Sequence, residues 1–439
     1  MKYYCIGIKG AGMSTLAGIL SDLGHEVSGY DDYQGTKFTE EGLKKRNIPI
    51  YYEANDLARD TIVTYSKAFS LEHPEIKRVR ELGLEIREYN QVVGDITKMF
   101  ETIGVSGTHG KTTCSLMISH VLKEEIPSSY FIGDGTAKAD SNDKLFVIES
   151  DEYNKHFLAY HPHVAIITNI EEDHLECYPG GLEEIKETFA AFANKANLII
   201  ALGDDPNIRD LKLEKKTIYY GFNKDNDVVA KNINLGSDAS SFDLYIDNKF
   251  ISHIKLPFYG RHMILNSLAV FALAWFYKLD IERIKESLSS FPGAKRRFKE
   301  SFISDIVIID DYAHHPTEIK VTIEAARQKY PDKDIVAIFL PNTYSRTADL
   351  FDDFITSLKT ADHVYLMEIE SDREDKSKYP GIGSKNLADK IPQARMISLE
   401  TTSELLIHRN SVLIFMSCAN ISKLLDEYKD LAKGLYQKF

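Results

Sequence analysis

The chain has 439 residues, of which 43% are hydrophobic and 27% charged, and its formal net charge is −13 at pH 7. This length predicts two or three globular domains, and the acidic balance disfavours a nucleic acid partner, whose phosphates are bound by basic side chains. Because the longest apolar runs are far shorter than the roughly 20 residues that cross a bilayer, and the first residues do not resemble a signal peptide, we expect a cytoplasmic protein without a membrane partner.

Residues 1–98 alternate short strand-like runs, such as KYYCIGI and TIVTYS, with amphipathic helix-like segments. This alternation is typical of βαβ units around a parallel sheet, so we predict a Rossmann-like first domain. The glycine-rich stretch GIKGAGMS follows the first strand and precedes a helix-like segment. Glycines at such a turn let the backbone approach a diphosphate, which the amide groups at the helix amino terminus then bind.

The order of the glycines in GIKGAGMS differs from the G-x-G-x-x-G of dinucleotide enzymes, which disfavours a nicotinamide cofactor. Two interpretations of the loop stay open, an anion-binding turn and a tight strand-to-helix turn that holds no ligand. Asp31 and Asp32 follow the second strand, where their carboxylates can accept hydrogen bonds from a ribose or a base.

A phosphate loop is predicted near the start of the second domain, which we place at residues 99–298. The stretch GVSGTHGKTTCSL joins an apolar strand to a helix-like segment. Val105 stands where a strict Walker sequence has its first glycine, but successive backbone N–H groups still form an anion nest. We expect Lys111 to reach the β- and γ-phosphates of a nucleotide and Thr112 to bind Mg²⁺. The alternative is a solvated lysine in a glycine-rich turn.

Acidic side chains follow two further apolar runs of the second domain. FVIESDE contributes Glu149 and Glu152, and TNIEEDH contributes Asp173 and His174. Because ligands gather at the carboxyl edge of an open α/β sheet, we expect these groups to face the same phosphates. Magnesium prefers oxygen ligands, which suits Glu149, while His174 is a less usual partner. Solvated acids after strands are the alternative.

From residue 299 to residue 439 the alternation restarts and predicts a third α/β domain, again Rossmann-like. DDYAHHPTE places Tyr312, His314 and His315 after one strand, and PNTYSRT places Arg346 after the next. The Arg346 guanidinium can bind an amino acid carboxylate through two parallel hydrogen bonds, and His314 can lie near the amine. For the two histidines, a surface or packed pair is the alternative.

Seven stretches occur in the order and approximate spacing of the Mur ligases: GIKGAGMS, GTHGKTT, ESDE, TNIEEDH, GRHMILNS, GAKRRF and DDYAHHPTE. The chain resembles this family over essentially its whole length, and within it the members that join L-alanine to UDP-N-acetylmuramate in peptidoglycan synthesis. The resemblance implies a monomeric or homodimeric ligase that uses ATP and Mg²⁺ and activates the lactyl carboxylate as an acyl phosphate. It also implies that the first domain binds the UDP-sugar, the second ATP and the third the amino acid, and that the third closes over the site.

The resemblance also implies roles for individual residues. The ATP contacts would be Gly107, Thr108, His109, Gly110, Lys111, Thr112, Thr113, Asn266, Arg297 and Asp311. The metal ligands would be Thr112, Glu149 and His174. The UDP-sugar and amino acid contacts would be Gly10, Ala11, Gly12, Met13, Ser14, Asp31, Ser66, Tyr312, His314 and Arg346. The residues that act in catalysis would be Lys111, His174, His314 and Arg346.

Three positions differ from the family pattern. Met263 stands where an asparagine helps to hold adenine, Asn342 stands where histidine is usual, and SCA at residues 417–419 replaces a Gly-Ala-Gly turn. Two alternatives remain beside the ligase: a recycling enzyme that attaches a preformed peptide to the same sugar, and a non-catalytic nucleotide-binding relative. The stretch GAGMS disfavours the first, and the presence of Lys111 disfavours the second.

Overall fold

The computed structural model describes residues 1–37, 39–371 and 374–436, which form three β-sheets connected largely by helices. The predicted α/β class with three domains is thereby confirmed, whereas the predicted boundaries at residues 98 and 298 stay a prediction. The chain divides into two compact units. The first comprises residues 1–230, 244–252 and 265–291, and the second comprises residues 231–243, 253–264 and 292–439.

The first sheet is parallel throughout and has the strand order β3-β2-β1-β4-β5. Its strands are β1 (Lys2–Ile6), β2 (Glu26–Tyr30), β3 (Ile50–Tyr51), β4 (Thr61–Tyr65) and β5 (Glu85–Glu88). Its helices are α1 (Ala11–Asp22), α2 (Glu40–Lys45), α3 (Pro74–Glu81) and α4 (Tyr89–Thr97). The strand order reverses between β1 and β4, and the glycine-rich loop after β1 lies at this switch point, where open α/β sheets bind ligands.

The second sheet has the strand order β15-β14-β13-β12-β11-β10-β6-β9-β7-β8. Its strands are β6 (Glu101–Ser106), β7 (Ser128–Phe131), β8 (Ala137–Lys138), β9 (Leu145–Glu149), β10 (Val164–Ile167), β11 (Leu198–Leu202), β12 (Lys216–Gly221), β13 (Val228–Leu235), β14 (Ser240–Ile246) and β15 (Lys249–Leu256). Its helices are α5 (Lys111–Leu122), α6 (Gly181–Ala193), α7 (Pro206–Arg209), α8 (Arg261–Phe276) and α9 (Ile281–Ser289). Short 3₁₀ helices cover Tyr153–Ala159 and Leu175–Cys177.

Strand β6 lies between β9 and β10, and both neighbours run parallel to it. The three strands are buried along nearly their whole length, as expected for a parallel sheet covered on both faces. Their carboxyl ends therefore meet at one edge, which brings together the loops that contain GTHGKTT, ESDE and TNIEEDH. The predicted convergence of these loops is a consequence of this strand order.

The third sheet has the strand order β16-β17-β21-β18-β19-β20, with β16 antiparallel and the other strands parallel. Its strands are β16 (Lys299–Ile303), β17 (Ile306–Asp311), β18 (Asp334–Phe339), β19 (His363–Leu366), β20 (Ala394–Met396) and β21 (Ser411–Met416). Its helices are α10 (Pro316–Lys329), α11 (Tyr344–Asp349), α12 (Phe351–Leu358), α13 (Ser384–Ala388) and α14 (Ser422–Tyr436). Short 3₁₀ helices cover Lys376–Lys378 and Leu399–Ile407. Among the described residues, no helix is long and apolar enough to cross a membrane.

A buried histidine beside the third sheet gives the fold a pH dependence. The Tyr365 hydroxyl lies 2.9 Å from Nε2 of His408, and the His363 ring lies 4.6 Å from the His408 ring, centroid to centroid. Burial, followed by the neighbouring His363, lowers the pKa of His408 from 6.5 to about 4. Between these two pKa values, His408 is therefore neutral in the folded chain and protonated in the unfolded chain.

We predict that acidification from pH 6.5 towards pH 4 destabilises the fold in part through His408. In this pH range the His408 ring binds a proton in the unfolded chain but not in the folded chain. His408→Gln keeps a hydrogen-bond acceptor for Tyr365 and removes the titration. The measurement is the urea midpoint of both proteins at pH values of about 7 and about 5. The variant should lose less stability than the parent between these values, and an equal loss would contradict the prediction.

Candidate active site

The phosphate loop joins β6 to α5, and two glycines give it its shape. Gly107 has φ +139° and Gly110, the N-cap of α5, has φ +82°, conformations that favour glycine. A Cβ at Gly107 would lie 2.0 Å from Oγ1 of Thr168. The Asn266 side chain lies beside Gly110, at 3.1 Å from the position of a Cβ there. The loop thus brings the predicted residue Asn266 next to the amino terminus of α5, whose first turn contains Thr112 and Thr113.

The loop after β10 holds the phosphate loop in place through residues that the sequence did not single out. Asn169 accepts a hydrogen bond from the His109 amide through Oδ1 at 2.8 Å and donates one to the His109 carbonyl through Nδ2 at 2.9 Å. The Thr168 hydroxyl donates to the same carbonyl at 2.6 Å. Oγ1 of Thr108 accepts from the Glu171 amide at 2.8 Å. Both peptide groups of His109 are therefore fixed before any ligand binds.

Lys111 is largely buried and held by acidic and carbonyl oxygens. Its Nζ lies 2.9 Å from Oε1 and 2.8 Å from Oε2 of Glu152 and donates to the Gly107 carbonyl at 2.6 Å. Burial opposes the charge of the ammonium, but the carboxylates of Glu152 and Asp151 outweigh it, and the pKa of Lys111 is raised. Lys111 is therefore a cation at neutral pH, at the first position of α5 directly after the glycines of the loop.

Glu149 ends β9 beside Lys111, and both of its carboxylate oxygens are bonded. Oε1 accepts from the Thr112 hydroxyl at 2.9 Å, and Oε2 accepts from the Gly133 amide at 2.7 Å. Burial raises the pKa of Glu149, and Lys111 and these two donors oppose the increase. Burial also raises the pKa of Glu152, again opposed by Lys111. Carboxylates outnumber cations here, which suits a divalent cation with oxygen ligands.

His174, the other predicted metal ligand, lies on the loop after β10 with φ +54°. Its Nδ1 is 3.5 Å from Oε1 of Glu176, and its Nε2 is 3.8 Å from Oδ2 of Asp173. Its ring packs edge-on against Tyr153 at a centroid distance of 4.9 Å. Because Tyr153 directly follows Glu152, this contact links the His174 loop to the Lys111 ion pair. His174 as a metal ligand stays a prediction.

The glycine-rich loop of the first sheet is supported by a buried lysine that the sequence did not reveal. Nζ of Lys9 is 2.9 Å from Oε1 of Glu40 and donates to the carbonyl oxygens of Tyr33 and Gly35, each at 2.8 Å. The hydrogen bond from Lys9 is the main cause that lowers the pKa of Glu40 to about 2. The pair ties the loop after β1 to the segment after β2.

Asp31, a predicted ligand contact, orders the glycine-rich loop through its buried carboxylate. Its carboxylate is buried and accepts hydrogen bonds from the Lys9 amide at 2.9 Å and the Tyr33 amide at 3.1 Å. In the described structure, Asp31 therefore orders the loop, and its contact with a ligand stays a prediction. The position of Asp31 after β2 could not show that the backbone amides of Lys9 and Tyr33 bind its carboxylate.

The predicted sugar contacts otherwise surround the start of α1. Gly10 is its N-cap, the first turn runs from Ala11 to Ser14 through Gly12 and the buried Met13, and the Ser14 hydroxyl donates to the Ala11 carbonyl at 2.9 Å. Ser66 lies close by, because a Cβ at Gly7 would be 3.2 Å from Cβ of Ser66. These residues form one locus at the switch point of the first sheet.

In the second unit, residues at the carboxyl end of β17 form a charged cluster with Arg297, which precedes β16. Asp311 accepts from the Phe298 amide at 2.7 Å and the Ala313 amide at 2.8 Å. Burial raises the pKa of Asp311 to about 6, and Arg297 opposes the increase. Nη1 of Arg297 donates to Glu318 at 3.2 Å, and Nδ1 of His314 lies 3.1 Å from the same carboxylate group. Glu318 thus links two predicted site residues, although the sequence analysis did not select it.

Tyr312 and Arg346 belong to the same edge of the third sheet. The Tyr312 ring lies 5.1 Å from the Arg297 guanidinium, and Nη1 of Arg346 donates to Oδ1 of Asn342 at 3.2 Å. The departure from the family pattern at residues 417–419 occupies the turn after β21, between the strands that lead to these two residues. Burial raises the pKa of Cys418 to about 11, with Arg346 opposing the increase. Because Arg346 donates a hydrogen bond to Asn342, this second departure from the family pattern contacts the predicted carboxylate-binding arginine directly.

Comparison with known proteins gives matches over most of the chain. Residues 2–101 match the model of the Mur ligase family catalytic domain, residues 105–274 the Mur ligase middle domain, and residues 296–412 the Mur ligase glutamate ligase domain. The chain is 43% identical over 434 residues to the UDP-N-acetylmuramate–L-alanine ligase of Lactiplantibacillus plantarum, covering 98% of this chain and 99% of the relative. It is 42% identical over 440 residues to the enzyme of the same name from Levilactobacillus brevis, covering 99% and 98%.

Solved structures give the same picture. The crystal structure of the UDP-N-acetylmuramate-alanine ligase from Thermotoga maritima matches with a TM-score of 0.82 and 26% identity, over 99% of this chain and all (100%) of that chain. A murein peptide ligase from Psychrobacter arcticus matches with a TM-score of 0.68 and 23% identity, over 98% of each chain. The second likeness, at that identity, concerns the fold alone.

We predict that Asn169→Ala weakens nucleotide binding by at least about tenfold, or ~1.4 kcal/mol, because the His109 amide loses its acceptor and the loop loses its fixed shape. The measurement is calorimetric titration with ADP and Mg²⁺. Asn197→Ala is the matched control, since Asn197 lies 3.1 Å from His163 at the sheet edge away from the loop. Equal affinities for the Asn169→Ala protein and the parent would show that the loop keeps its shape without this side chain.

Proposed function

This chain belongs to the Mur ligase family, and we propose that it joins L-alanine to the lactyl carboxylate of UDP-N-acetylmuramate while ATP is converted to ADP and phosphate. The observation that carries the proposal is the phosphate loop in which a buried, charged Lys111 lies among the carboxylates of Glu149 and Glu152. The full-length relatives that match at 42–43% identity bear the name of this ligase, which specifies the sugar and the amino acid.

The reaction proposed has two steps. A lactyl carboxylate oxygen attacks the γ-phosphorus of ATP, the bond to the β–γ bridging oxygen breaks, and ADP leaves with that electron pair. The neutral amine of L-alanine then attacks the carbonyl carbon of the acyl phosphate, loses a proton, and expels phosphate with one former carboxylate oxygen. Phosphoryl transfer between two anions depends on positioning and charge neutralisation more than on covalent help from the protein.

Lys111 supplies that neutralisation in our proposal. Its ammonium stays charged because Glu152 raises its pKa, and it is positioned by carbonyl oxygens of the loop itself. When the phosphates of a nucleotide bind, their oxygens compete with these carbonyl groups for the three N–H donors of the ammonium. The backbone N–H groups at the start of α5 provide further donors.

The residues present fit a magnesium ion. Glu149 has both oxygens directed by Thr112 and Gly133, and the local excess of buried carboxylate is unfavourable without a further cation. We propose Glu149 and Thr112, together with His174, as the residues that hold Mg²⁺. When bound, the ion would neutralise charge on the phosphate oxygens during transfer.

Amino acid recognition is proposed for the third sheet. Arg346 can bind the carboxylate of L-alanine as a bidentate pair, and its neighbour Asn342 fixes one end of the guanidinium. His314, which bonds to Glu318 and to the Tyr312 carbonyl, is proposed to lie near the amine. Arg297 and Asp311 are proposed nucleotide contacts, and burial raises the pKa of Asp311 to about 6, with Arg297 opposing the increase.

The recycling ligase is the second candidate. The comparisons favour the alanine ligase, because relatives with that name match at full length with 42–43% identity, whereas the murein peptide ligase matches with 23% identity. The test is an ADP-release assay with UDP-N-acetylmuramate and one acceptor at a time, followed by mass analysis of the product. L-alanine should be the preferred acceptor among amino acids and should add one alanyl residue. Preference for a preformed peptide would identify the recycling reaction, and ATP binding without ADP release with any acceptor would identify a non-catalytic relative.

We predict that Lys111→Ala lowers turnover by about a hundredfold or more, on the order of 3 kcal/mol, because charge developing in transfer loses its counter-charge. Lys123→Ala is the matched control, since Lys123 lies at the other end of α5 and is 77% exposed. The measurement is UDP-N-acetylmuramate-dependent ADP release, with circular dichroism to establish folding. A folded Lys111→Ala enzyme with nearly normal ADP release would remove Lys111 from the mechanism.

We predict that Arg346→Ala raises the KM for L-alanine by roughly tenfold or more and the KM for ATP far less, because only the amino acid loses its carboxylate partner. The measurement is steady-state kinetics with each substrate varied in turn. Alaninamide, which lacks the carboxylate, serves as the control and should be a poor acceptor for the parent. Equal increases of both constants, or alaninamide reacting as well as alanine, would refute carboxylate recognition by Arg346.

A further inference from the structure

The turn between β7 and β8 contacts the proposed metal carboxylate directly. The Gly133 amide donates to Oε2 of Glu149 at 2.7 Å, and a Cβ on Gly133 would lie 2.8 Å from both carboxylate oxygens. The turn is closed by hydrogen bonds from the Ile132 amide to the Thr136 carbonyl at 3.0 Å and from the Gly135 amide to the Ile132 carbonyl at 3.2 Å. A defined turn, rather than solvent, therefore sets the position of one Glu149 oxygen.

The same hairpin is attached to α1 by a bidentate ion pair. Nε and Nη2 of Arg46 each lie 2.8 Å from an oxygen of Asp22, the last residue of α1. Nη2 of Arg46 also donates to the Ala137 carbonyl of β8 at 3.0 Å, and the Ala139 amide donates to Asp22 at 3.2 Å. The hydrogen bond to Asp22 is the main cause that raises the pKa of Arg46. Two residues outside the second sheet thus bond to the first residue of β8 and to the residue that follows the strand.

Helix α1 connects this attachment to the glycine-rich loop, since it begins directly after Gly10 and ends at Asp22. We propose that Asp22, Arg46 and Gly133 are positioning residues that couple UDP-sugar binding at the amino end of α1 to the orientation of Glu149. The proposal rests on the proposed function, which assigns the sugar to this loop and Mg²⁺ to Glu149.

The physical basis is that Glu149 is held at both oxygens, by Gly133 on one side and Thr112 on the other. A small displacement of α1 moves Asp22. The two parallel hydrogen bonds between Asp22 and Arg46 transmit this displacement to β8 and the turn, because two such bonds resist rotation better than one. Coupling between two binding sites is reciprocal. The sugar should therefore strengthen magnesium-dependent nucleotide binding, and Mg²⁺ with nucleotide should strengthen sugar binding by the same factor.

The first experiment uses Gly133→Ala in the full-length chain. Gly133 is outside the left-handed region, and its close neighbours are the far atoms of a flexible side chain, so the variant should fold and displace only the Glu149 carboxylate. Calorimetric titration with ADP should show at least about a threefold loss of affinity in Mg²⁺ and no loss in EDTA. An unchanged affinity in Mg²⁺, or an equal loss in both buffers, would overturn the positioning role of the turn.

The second experiment tests the link to α1 with Arg46→Lys, which keeps the positive charge and loses the bidentate hydrogen bonds to Asp22. Its matched control is Arg78→Lys, because Arg78 also forms a bidentate pair, with Glu75 at 2.9 and 2.6 Å, but on α3. Saturating UDP-N-acetylmuramate should tighten binding of ADP with Mg²⁺ to the parent and to Arg78→Lys. The tightening should fall by about threefold or more in Arg46→Lys.

Equal tightening in Arg46→Lys and in the parent, or no tightening in the parent, would overturn the coupling. These outcomes are distinguishable from failure of the proposed function, which would appear as a parent protein that does not bind UDP-N-acetylmuramate or the nucleotide at all. Unfolding midpoints of the two lysine variants provide the remaining control. If both variants lose similar stability and only Arg46→Lys loses the coupling, general destabilisation does not explain the effect.

Discussion

The ion pair between Lys111 and Glu152 is the interaction on which the arrangement of charges at the phosphate loop depends. A lysine is buried at a helix amino terminus, where the helix dipole and burial both disfavour its charge, and nearby carboxylates keep it protonated. The carboxyl groups of Glu149 and Glu152 have raised pKa values because they too are buried. The site thus has a fixed cation for phosphate oxygens and an excess of carboxylate for a metal ion.

Sheet topology explains why these charges meet. Strand β6 has β9 and β10 as parallel neighbours, so three loops that are distant in sequence end at one edge. The first sheet has its own switch point, and a glycine-rich loop and buried Asp31 occupy it. The separation of the loops along the chain therefore says little about their separation in space. The parallel order of the strands decides which side chains can share a ligand.

Local sequence patterns were sufficient to predict the α/β class and the strand-to-helix turns that contain the glycine-rich loops, since turns and strand ends depend on neighbouring residues. The patterns could not show that Glu152 pairs with Lys111, that Lys9 is buried against Glu40, or that the Gly133 amide binds Glu149. These contacts join residues far apart along the chain. Asn169 could have been selected, because it lies inside the stretch TNIEEDH, but an amide whose shortest hydrogen bonds are to the backbone of His109 has no sequence signature of its own.

The most direct test of the central claim, that the site activates a carboxylate by phosphoryl transfer, follows the oxygen atoms. UDP-N-acetylmuramate carrying ¹⁸O in its lactyl carboxylate is incubated with the enzyme, ATP, Mg²⁺ and L-alanine, and the phosphate released is examined by mass spectrometry. Each phosphate formed should contain one oxygen from the carboxylate, because the acyl phosphate breaks between the carbonyl carbon and its bridging oxygen when the amine attacks. Unlabelled phosphate accompanying amide formation would contradict the claim.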